Sequence, residues 1–302
     1  MIIRSTEKLR QLTGNYYANN DFSKVESEIV LATDELRTIV GNGVIDYVEQ
    51  HVTDLDEQVV EFVDKVARPV AIIATLRMYR KNDLSHEDDG RKFKVSTDGT
   101  DKIPWEWQLD RDDAMHLEEY YRAVDALIRY LNEKQPKEWT DSDQFKQANS
   151  LIIRSGREFD YFYAIDKSER TYMLLQPFIR EVQIRTVSRA YGANWDTLMN
   201  LRDVTDNAFY AACKAVALLA MSLAFRRLPL SVIPVGVVKQ YQAKNGMNTT
   251  KLATLEDIER MAGWLEADGA MWVSEMKEQR DGKVGEYSLL PENDPKNKYV
   301  RL

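Results

Sequence analysis

Hydrophobic residues recur every three or four positions along most of the 302-residue chain, which is the spacing of residues that share one face of a helix. The clearest run begins at Ser23 and Glu26, which have the spacing of a capping box. It stops at Gly41, which can close a helix in the left-handed conformation. The pattern predicts a mainly α-helical protein. The apolar stripe of this first helix consists of Val25, Ile29, Ala32, Leu36 and Ile39.

The same spacing predicts further helices, over about residues 56–80, 110–132, 142–164, 168–192, 206–227, 251–267 and 270–279. Pro69 falls inside the first of these, and we expect it to kink or split the helix because proline lacks an N–H and crowds the preceding turn. The run 209–225 is nearly all apolar, but it is shorter than a bilayer span and contains Lys214. We therefore expect a buried core helix there and no membrane association.

The helical spacing is lost in two stretches, where short β-hairpins are predicted. Residues 91–95 and 103–107 flank Asp98-Gly99, which favours a hairpin or an ordered loop, and residues 231–238 carry Pro and Gly at turn positions. From residue 281 onward the sequence is polar with scattered Gly and Pro. This composition predicts an extended C-terminal tail that is either disordered or ordered against a neighbouring molecule.

The chain also resembles itself. Shifted by 146 positions, residues 68–85 align with residues 214–231, and Arg80 falls on Arg226. A shift of 148 aligns Arg37 and the two residues after it with the three that begin at Arg185. Two amphipathic helices can match by chance, but here the order of elements repeats as well.

These matches predict a helical bundle built from two similar halves. The halves cover about residues 1–108 and 140–245, within a helical body over 1–245. Residues 246–302 are expected to form a separate C-terminal helical extension and arm.

Composition narrows the classes of function. Lys and Arg number 41 against 49 Asp and Glu, a formal net charge of −8, which argues against binding nucleic acid by neutralising phosphates. It does not exclude a surface along which DNA slides without being held. The single cysteine, Cys213, cannot form an internal disulfide and fits a reducing cytoplasm. The first residues lack the pattern of a signal peptide, so secretion is not expected.

Candidate catalytic chemistry is sparse in the sequence. The histidines His51, His86 and His116 have no second His or Cys at metal-ligand spacing, and His116 falls on a helix face expected to be exposed. The glycine-rich phosphate motifs and the nucleophile elbow do not occur, and Cys213 falls inside an apolar helix. A glycosidase-type pair of carboxylates stays open, although no two acids are singled out. We therefore predict no catalytic, cofactor-binding or metal-binding residues.

Aromatic residues are the better candidates for function. Trp105 and Trp107 would share a face if that stretch is extended, and Trp264 and Trp272 fall in the C-terminal segment. Each could simply cover local core, but exposed tryptophan concentrates at protein interfaces. The candidate interface residues are Trp105, Trp107, Ile233, Val235, Val237, Trp264, Trp272 and Tyr299.

Five segments of the chain resemble a known family. They are residues 1–9 (MIIRSTEKL), 105–108 (WEWQ), 154–159 (RSGREF), 171–177 (TYMLLQP) and 230–238 (LSVIPVGVV). Together they are similar to the connector-ring (adaptor) proteins below the portal of crAss-like phages of Bacteroidetes. The resemblance covers about residues 1–245 and lies in overall pattern, since none of the segments is a catalytic motif.

The resemblance implies a structural virion protein that forms a dodecameric ring in the neck, joins the portal to the tail and lines the DNA channel. The implied partners are further copies of the chain, the portal protein and neighbouring ring or tail proteins, with DNA passing without specific binding. It implies no cofactor and no membrane, and synthesis in the host cytoplasm. The alternatives are a tail-stopper ring, a capsid-associated protein, or a helical enzyme with an unrecognised carboxylate site.

Overall fold

The computed structural model describes residues 1–14, 21–87, 90–93, 105–228 and 254–282, and it is mainly α-helical. The predicted helical fold class is therefore confirmed. The chain divides into two compact units, unit 1 (Met1–Ser150) and unit 2 (Leu151–Leu302). Each unit is described by itself below.

Unit 1 begins with a short helix and centres on a long one. Its elements are α1 (Thr6–Thr13), α2 (Ser23–Val40), α3 (Asn42–His51), α4 (Glu57–Asn82), β1 (Leu84–Glu87), β2 (Gly90–Phe93), α5 (Glu106–Lys134), α6 (Lys137–Thr140) and α7 (Asp143–Asn149). Unit 2 contains α8 (Gly156–Phe162), α9 (Glu169–Val182), a π-helical turn (Gln183–Val187), α10 (Ser188–Tyr191), α11 (Trp195–Leu201), α12 (Asn207–Arg227) and α13 (Leu255–Arg280).

Helix α4 forms the core of unit 1, where it contacts α1, α2, α3 and α5. The carboxylate of Asp56 starts it by accepting the N–H groups of Gln58 at 2.9 Å and Val59 at 3.2 Å. The helix runs without a break through Pro69, which is buried. The expected split therefore does not occur, because residues on both sides of the proline are held by packing that offsets the missing hydrogen bond.

Arginine side chains of α4 connect it to its neighbours. Arg77 donates two hydrogen bonds to the carboxylate of Glu35 on α2, at 2.9 and 2.7 Å. One turn later, Nε of Arg80 donates to Asp113 on α5 at 2.6 Å. Both pairs lie at the edge of the apolar contact and fix the register of the helices more than they add stability.

The strands of unit 1 differ from the predicted hairpin. β1 and β2 pair antiparallel, with Leu84 opposite Phe93 and Glu87 opposite Gly90. The sequence predicted that residues 91–95 would pair with residues 103–107. Trp107 instead lies in the first turn of α5. The predicted turn at Asp98-Gly99 and the second hairpin, over 231–238, lie outside the described residues, as does most of the predicted tail from residue 281.

Helix α12 is the core of unit 2, as expected for its apolar sequence, and it contacts α8, α9, α11 and α13. Helix α13 follows α12 closely where Gly269 faces Leu219. A Cβ added to Gly269 would lie 2.6 Å from Cγ of Leu219, so only glycine allows this approach. Arg226 of α12 donates from Nε to Glu259 at 3.2 Å and from a second nitrogen to Glu266 at 2.7 Å, both on α13.

The start of unit 2 corrects the helix predicted over 142–164. Helix α7 ends at Asn149 and α8 begins at Gly156. Between the two helices, Ile152 and Ile153 are fully buried without belonging to a helix. The buried carboxylate of Glu169 accepts the N–H of Gly156 at 2.8 Å. The hydroxyl of Ser155 accepts the N–H of Glu158 at 3.1 Å, which satisfies a second donor at the start of α8.

Two further predictions about the C-terminal region differ from the structure. The helices predicted over 251–267 and 270–279 form one continuous helix, α13, since Asp268, Gly269 and Ala270 do not interrupt it. The division predicted at residue 245 would separate α13 from α12, whereas both belong to unit 2. The close packing at Gly269 explains why α13 is part of the same core.

Candidate interaction surfaces

The N-terminal part of α5 presents large apolar side chains to solvent. Trp105 is 71% exposed, and Trp107 and Met115 are also exposed. Trp105 has an extended backbone and its N–H donates to Oε1 of Gln108 at 3.0 Å, so the helix begins directly after it. Because Trp107 lies in a helix, the period-two reasoning that put both tryptophans on one strand face does not apply.

Helix α13 carries a second exposed apolar face in unit 2. Met261 and Trp264 are three residues apart and Met271 follows seven residues later, the spacing of one side of a helix. All three are exposed, Trp264 by 59%, and the guanidinium of Arg260 lies 5.8 Å from the centre of the Trp264 ring. The buried residues of α13 lie on the opposite side; they are Ala262, Leu265, Gly269, Val273 and Met276.

The remaining candidate interface residues divide into two groups. Trp272 is half-buried and packs edge to face against Tyr210 of α12, with ring centres 5.6 Å apart. It therefore covers local core, which was the alternative considered for it. Four candidates lie outside the described residues: Ile233, Val235, Val237 and Tyr299.

Sequence reasoning missed the methionines on these faces. Met115, Met261 and Met271 are exposed, whereas methionine is usually taken for core. For α13, helical spacing alone could have predicted exposed methionines, because Met261 and Met271 fall on the opposite side from the regular stripe of inward residues. Exposed thioethers beside exposed tryptophans are typical of surfaces that bind other proteins.

His116 is a correction to the sequence analysis. Only 8% of its surface is exposed, because it lies on the inward side of α5 with Val124, Leu127 and Leu131. Its ring nitrogens lie 3.5 Å from Asp112 and 3.7 Å from Glu119 on the same helix. Among the residues that the structure describes, no group of three or more His, Cys, Asp or Glu side chains is placed to hold a metal ion.

A small cavity in unit 2 contains the single thiol. Its volume is about 250 Å³, and its lining includes Cys213, Arg202, Glu158 and Phe209. Burial raises the pKa of the Cys213 thiol far above its ordinary value, so the sulfur stays protonated. The guanidinium of Arg202 contacts Glu158 and the carbonyl of Ile152 and is thereby committed to local structure.

A larger groove in unit 1 is polar. It has a volume of about 660 Å³ and is lined by residues of α2, α3, α6 and α7. Arg37 in its wall contacts Asp46 and lies 3.6 Å from Glu49, while Nε2 of Gln144 donates to the carbonyl of Thr38 at 3.0 Å. These contacts join the helices that form the groove.

One helix in the described part of the chain is long and apolar enough to cross a membrane. It is α12, and 67% of the relevant window is buried inside the protein. Searches of protein-family models, curated proteins and solved structures found no match to the chain.

Proposed function

We propose that this chain is a structural protein that assembles with copies of itself into a ring, and that the ring forms the connector between portal and tail in a phage neck. The observation that carries the proposal is the pair of exposed apolar faces on α5 and α13, one in each unit. Tryptophan and methionine in this number on outward helix faces favour burial against another protein. The resemblance of five sequence segments to connector-ring proteins supports the specific place.

The proposal includes a duplicated origin for the two units. Helices α4 and α12 each have thirteen buried residues, and twelve of the positions in one set lie 146 residues from a position in the other. The buried side of α2 follows the same offset. Val25, Ile29, Thr33 and Leu36 are matched by Thr171, Leu175, Ile179 and Val182 of α9.

Ion pairs support the same correspondence. Arg80 and Asp113 join α4 to α5, and the residues 146 positions later, Arg226 and Glu259, join α12 to α13. In both pairs the arginine donates from Nε to a carboxylate oxygen. A chance match of two amphipathic helices would not reproduce a contact with a third helix.

The beginnings of the units add a further match, which the sequence analysis did not identify. Residues 2–5 and residues 152–155 both read Ile-Ile-Arg-Ser. In both segments the two isoleucines are fully buried, and the serine hydroxyl caps the next helix by accepting the N–H three residues later. The offset is 150 here and 146 later, so unit 1 has four more residues between these helices.

The proposed assembly is tested by the mass of the purified full-length chain. Native mass spectrometry and negative-stain electron microscopy should show a closed oligomer, with a dodecamer as the expected stoichiometry. Trp264→Ser should weaken association without loss of helical circular dichroism, because that side chain is largely exposed. Trp272→Phe, at a half-buried position, is the matched control and should assemble normally. A wild-type chain that stays monomeric at every concentration would contradict the proposal.

A separate experiment addresses the place of the ring. Cross-linking of assembled particles should join this chain to the portal if it is the adaptor. Cross-links to tail proteins alone would favour a tail-stopper ring, and cross-links to the shell alone would favour a capsid-associated protein.

A further inference from the structure

The π-helical turn after α9 produces an unusual surface in unit 2. Gln183 is buried, and its Oε1 accepts the N–H of Ile152 at 2.8 Å. This bond satisfies a buried donor in the non-helical segment that starts the unit. The N–H of Ser188 reaches back five residues to the carbonyl of Gln183, which widens the turn.

The widened turn exposes consecutive side chains. Ile184, Arg185 and Thr186 are all exposed. Ile184 is 51% exposed, which is unusual for a β-branched apolar residue. π-Helical turns occur frequently at functional sites.

The surroundings of Ile184 are basic. Arg180, Arg185 and Arg189 are exposed along the same stretch of helix. The acid nearest to them, Glu181, contacts both Arg185 and Arg227 and is shared between two cations. We call Arg180, Ile184, Arg185 and Arg189 the π-turn face; it combines positive charge with one exposed apolar side chain.

The outward side of α13 carries acidic residues that are not in ion pairs within the described part of the chain, because its arginine, Arg260, is paired with Asp257. Met261, Trp264 and Met271 alternate there with Asp268 and Glu275 at spacings of three and four residues. Asp268 is exposed and Glu275 is half-exposed. We call these five residues the α13 outer face. Its inward counterpart is covered by α12, so the outer face is available to another molecule.

From this complementarity we infer that the π-turn face of one copy of the chain binds the α13 outer face of the next copy. The inference rests on the proposed self-assembly and names the surfaces that would make it. Contact between two different surfaces of one chain is head to tail, and such contacts form a ring when the rotation closes. The arginines set the register against Asp268 and Glu275, and Ile184 is buried against Trp264 and its neighbouring methionines.

The α5 face is a poorer partner for the α13 outer face. The exposed residues around Trp107 and Met115 include three acids, Glu106, Asp110 and Asp112, against one cation, Arg111. Two acidic faces would repel each other, whereas the π-turn face supplies the opposite sign. A second copy of the chain therefore carries the complementary surface itself.

Charge reversal with rescue tests the inference in the full-length protein. Arg185→Glu and Asp268→Lys should each weaken association by about tenfold, and the double variant should recover most of the loss because the two charges are exchanged. Association is measured by sedimentation over a range of concentrations, with circular dichroism to verify folding. Lys24→Glu reverses an exposed cation at the start of α2, outside the α5, π-turn and α13 faces, and is the matched control; it should assemble like wild type.

A neutral variant guards against misfolding of Arg185→Glu beside Glu181. Ile184→Asn keeps the charges, removes the exposed apolar side chain and should also weaken association. The inference is overturned if wild type forms oligomers while Arg185→Glu, Asp268→Lys and Ile184→Asn assemble like it, or if the double variant is no better than the weaker single variant. A monomeric wild type would instead contradict the proposed function itself, so the two failures are distinct.

Discussion

The central helices of the two units, α4 and α12, bury side chains of different size. The buried residues of α4 are mostly Val, Ile, Leu, Phe and Met, whereas those of α12 are mostly alanine. A helix lined with alanine leaves space that only a closer neighbour can fill. α13 fills it through Gly269, and its contact with α12 is more extensive than the contact of α5 with α4. The space around a central helix can therefore be filled either by large side chains or by close approach of a neighbouring helix.

The largest expected effect concerns Gly156, where α8 begins. A Cβ there would lie 2.5 Å from the carbonyl oxygen of Ser168, and backbone atoms cannot rotate away. Gly156→Ala should lower the free energy of unfolding by about 3 kcal/mol, the upper end of overpacking costs. Urea unfolding followed by circular dichroism measures it. In the proposed duplication the corresponding position in unit 1 is Thr6, where Thr6→Ala should cost less than about 1 kcal/mol. Equal losses of unfolding free energy for Gly156→Ala and Thr6→Ala would contradict the predicted difference between the two positions.

Gly269 tests the close approach of α13 to α12. Gly269→Ala should destabilise the protein by about 1–2 kcal/mol, because overlap with Leu219 exceeds the gain in helix propensity. Gly263→Ala on the same helix is the control, since a Cβ there meets no atom within 4 Å. That variant should be more stable by about 0.5–1 kcal/mol. A stabilising Gly269→Ala would show that the helices are not held as closely as described.

The smallest effect concerns the ion pairs of Arg80 and Arg226, which the proposed duplication relates to each other. Arg226 contacts two carboxylates and Arg80 contacts one. Arg226→Gln should cost about 0.5–1 kcal/mol and Arg80→Gln about half of that, as is usual for partly exposed pairs. Both losses should shrink in high salt, measured by thermal unfolding at two ionic strengths. A larger loss of stability for Arg80→Gln than for Arg226→Gln would contradict the assignment of one carboxylate contact to Arg80 and two to Arg226.

Regular spacing made the long helices predictable. Helix α2 begins at Ser23 and ends before Gly41 close to the predicted bounds, and the apolar run of α12 is the core helix expected from it. The predicted capping box does not form, because Ser23 lies inside the helix and its N–H donates to Asp21 at 3.1 Å. These signals are local, because capping residues and helix periodicity act within a few positions.

Features fixed by distant residues could not be predicted in the same way. Ile152 and Ile153 continue a helical apolar pattern, yet they lie outside any helix, and Gln183, thirty-one residues away, accepts the N–H of Ile152. The inward position of His116 depends on which side of α5 meets α4. The exposed tryptophans were identified from their residue type, and helical spacing could have identified the methionines of α13. The π-helical turn follows from tertiary packing that periodicity does not encode.

Because Cys213 is buried, chemical modification of its thiol can be used to measure local opening of unit 2. The thiol is 1% exposed, protonated by the effect of burial on its pKa, and the only cysteine of the chain. An alkylating reagent can reach it only when the helices around the small cavity separate. The rate at which Cys213 is modified in native buffer therefore measures how often unit 2 opens locally. Opening of unit 1 does not change this rate, because the cysteine lies in unit 2.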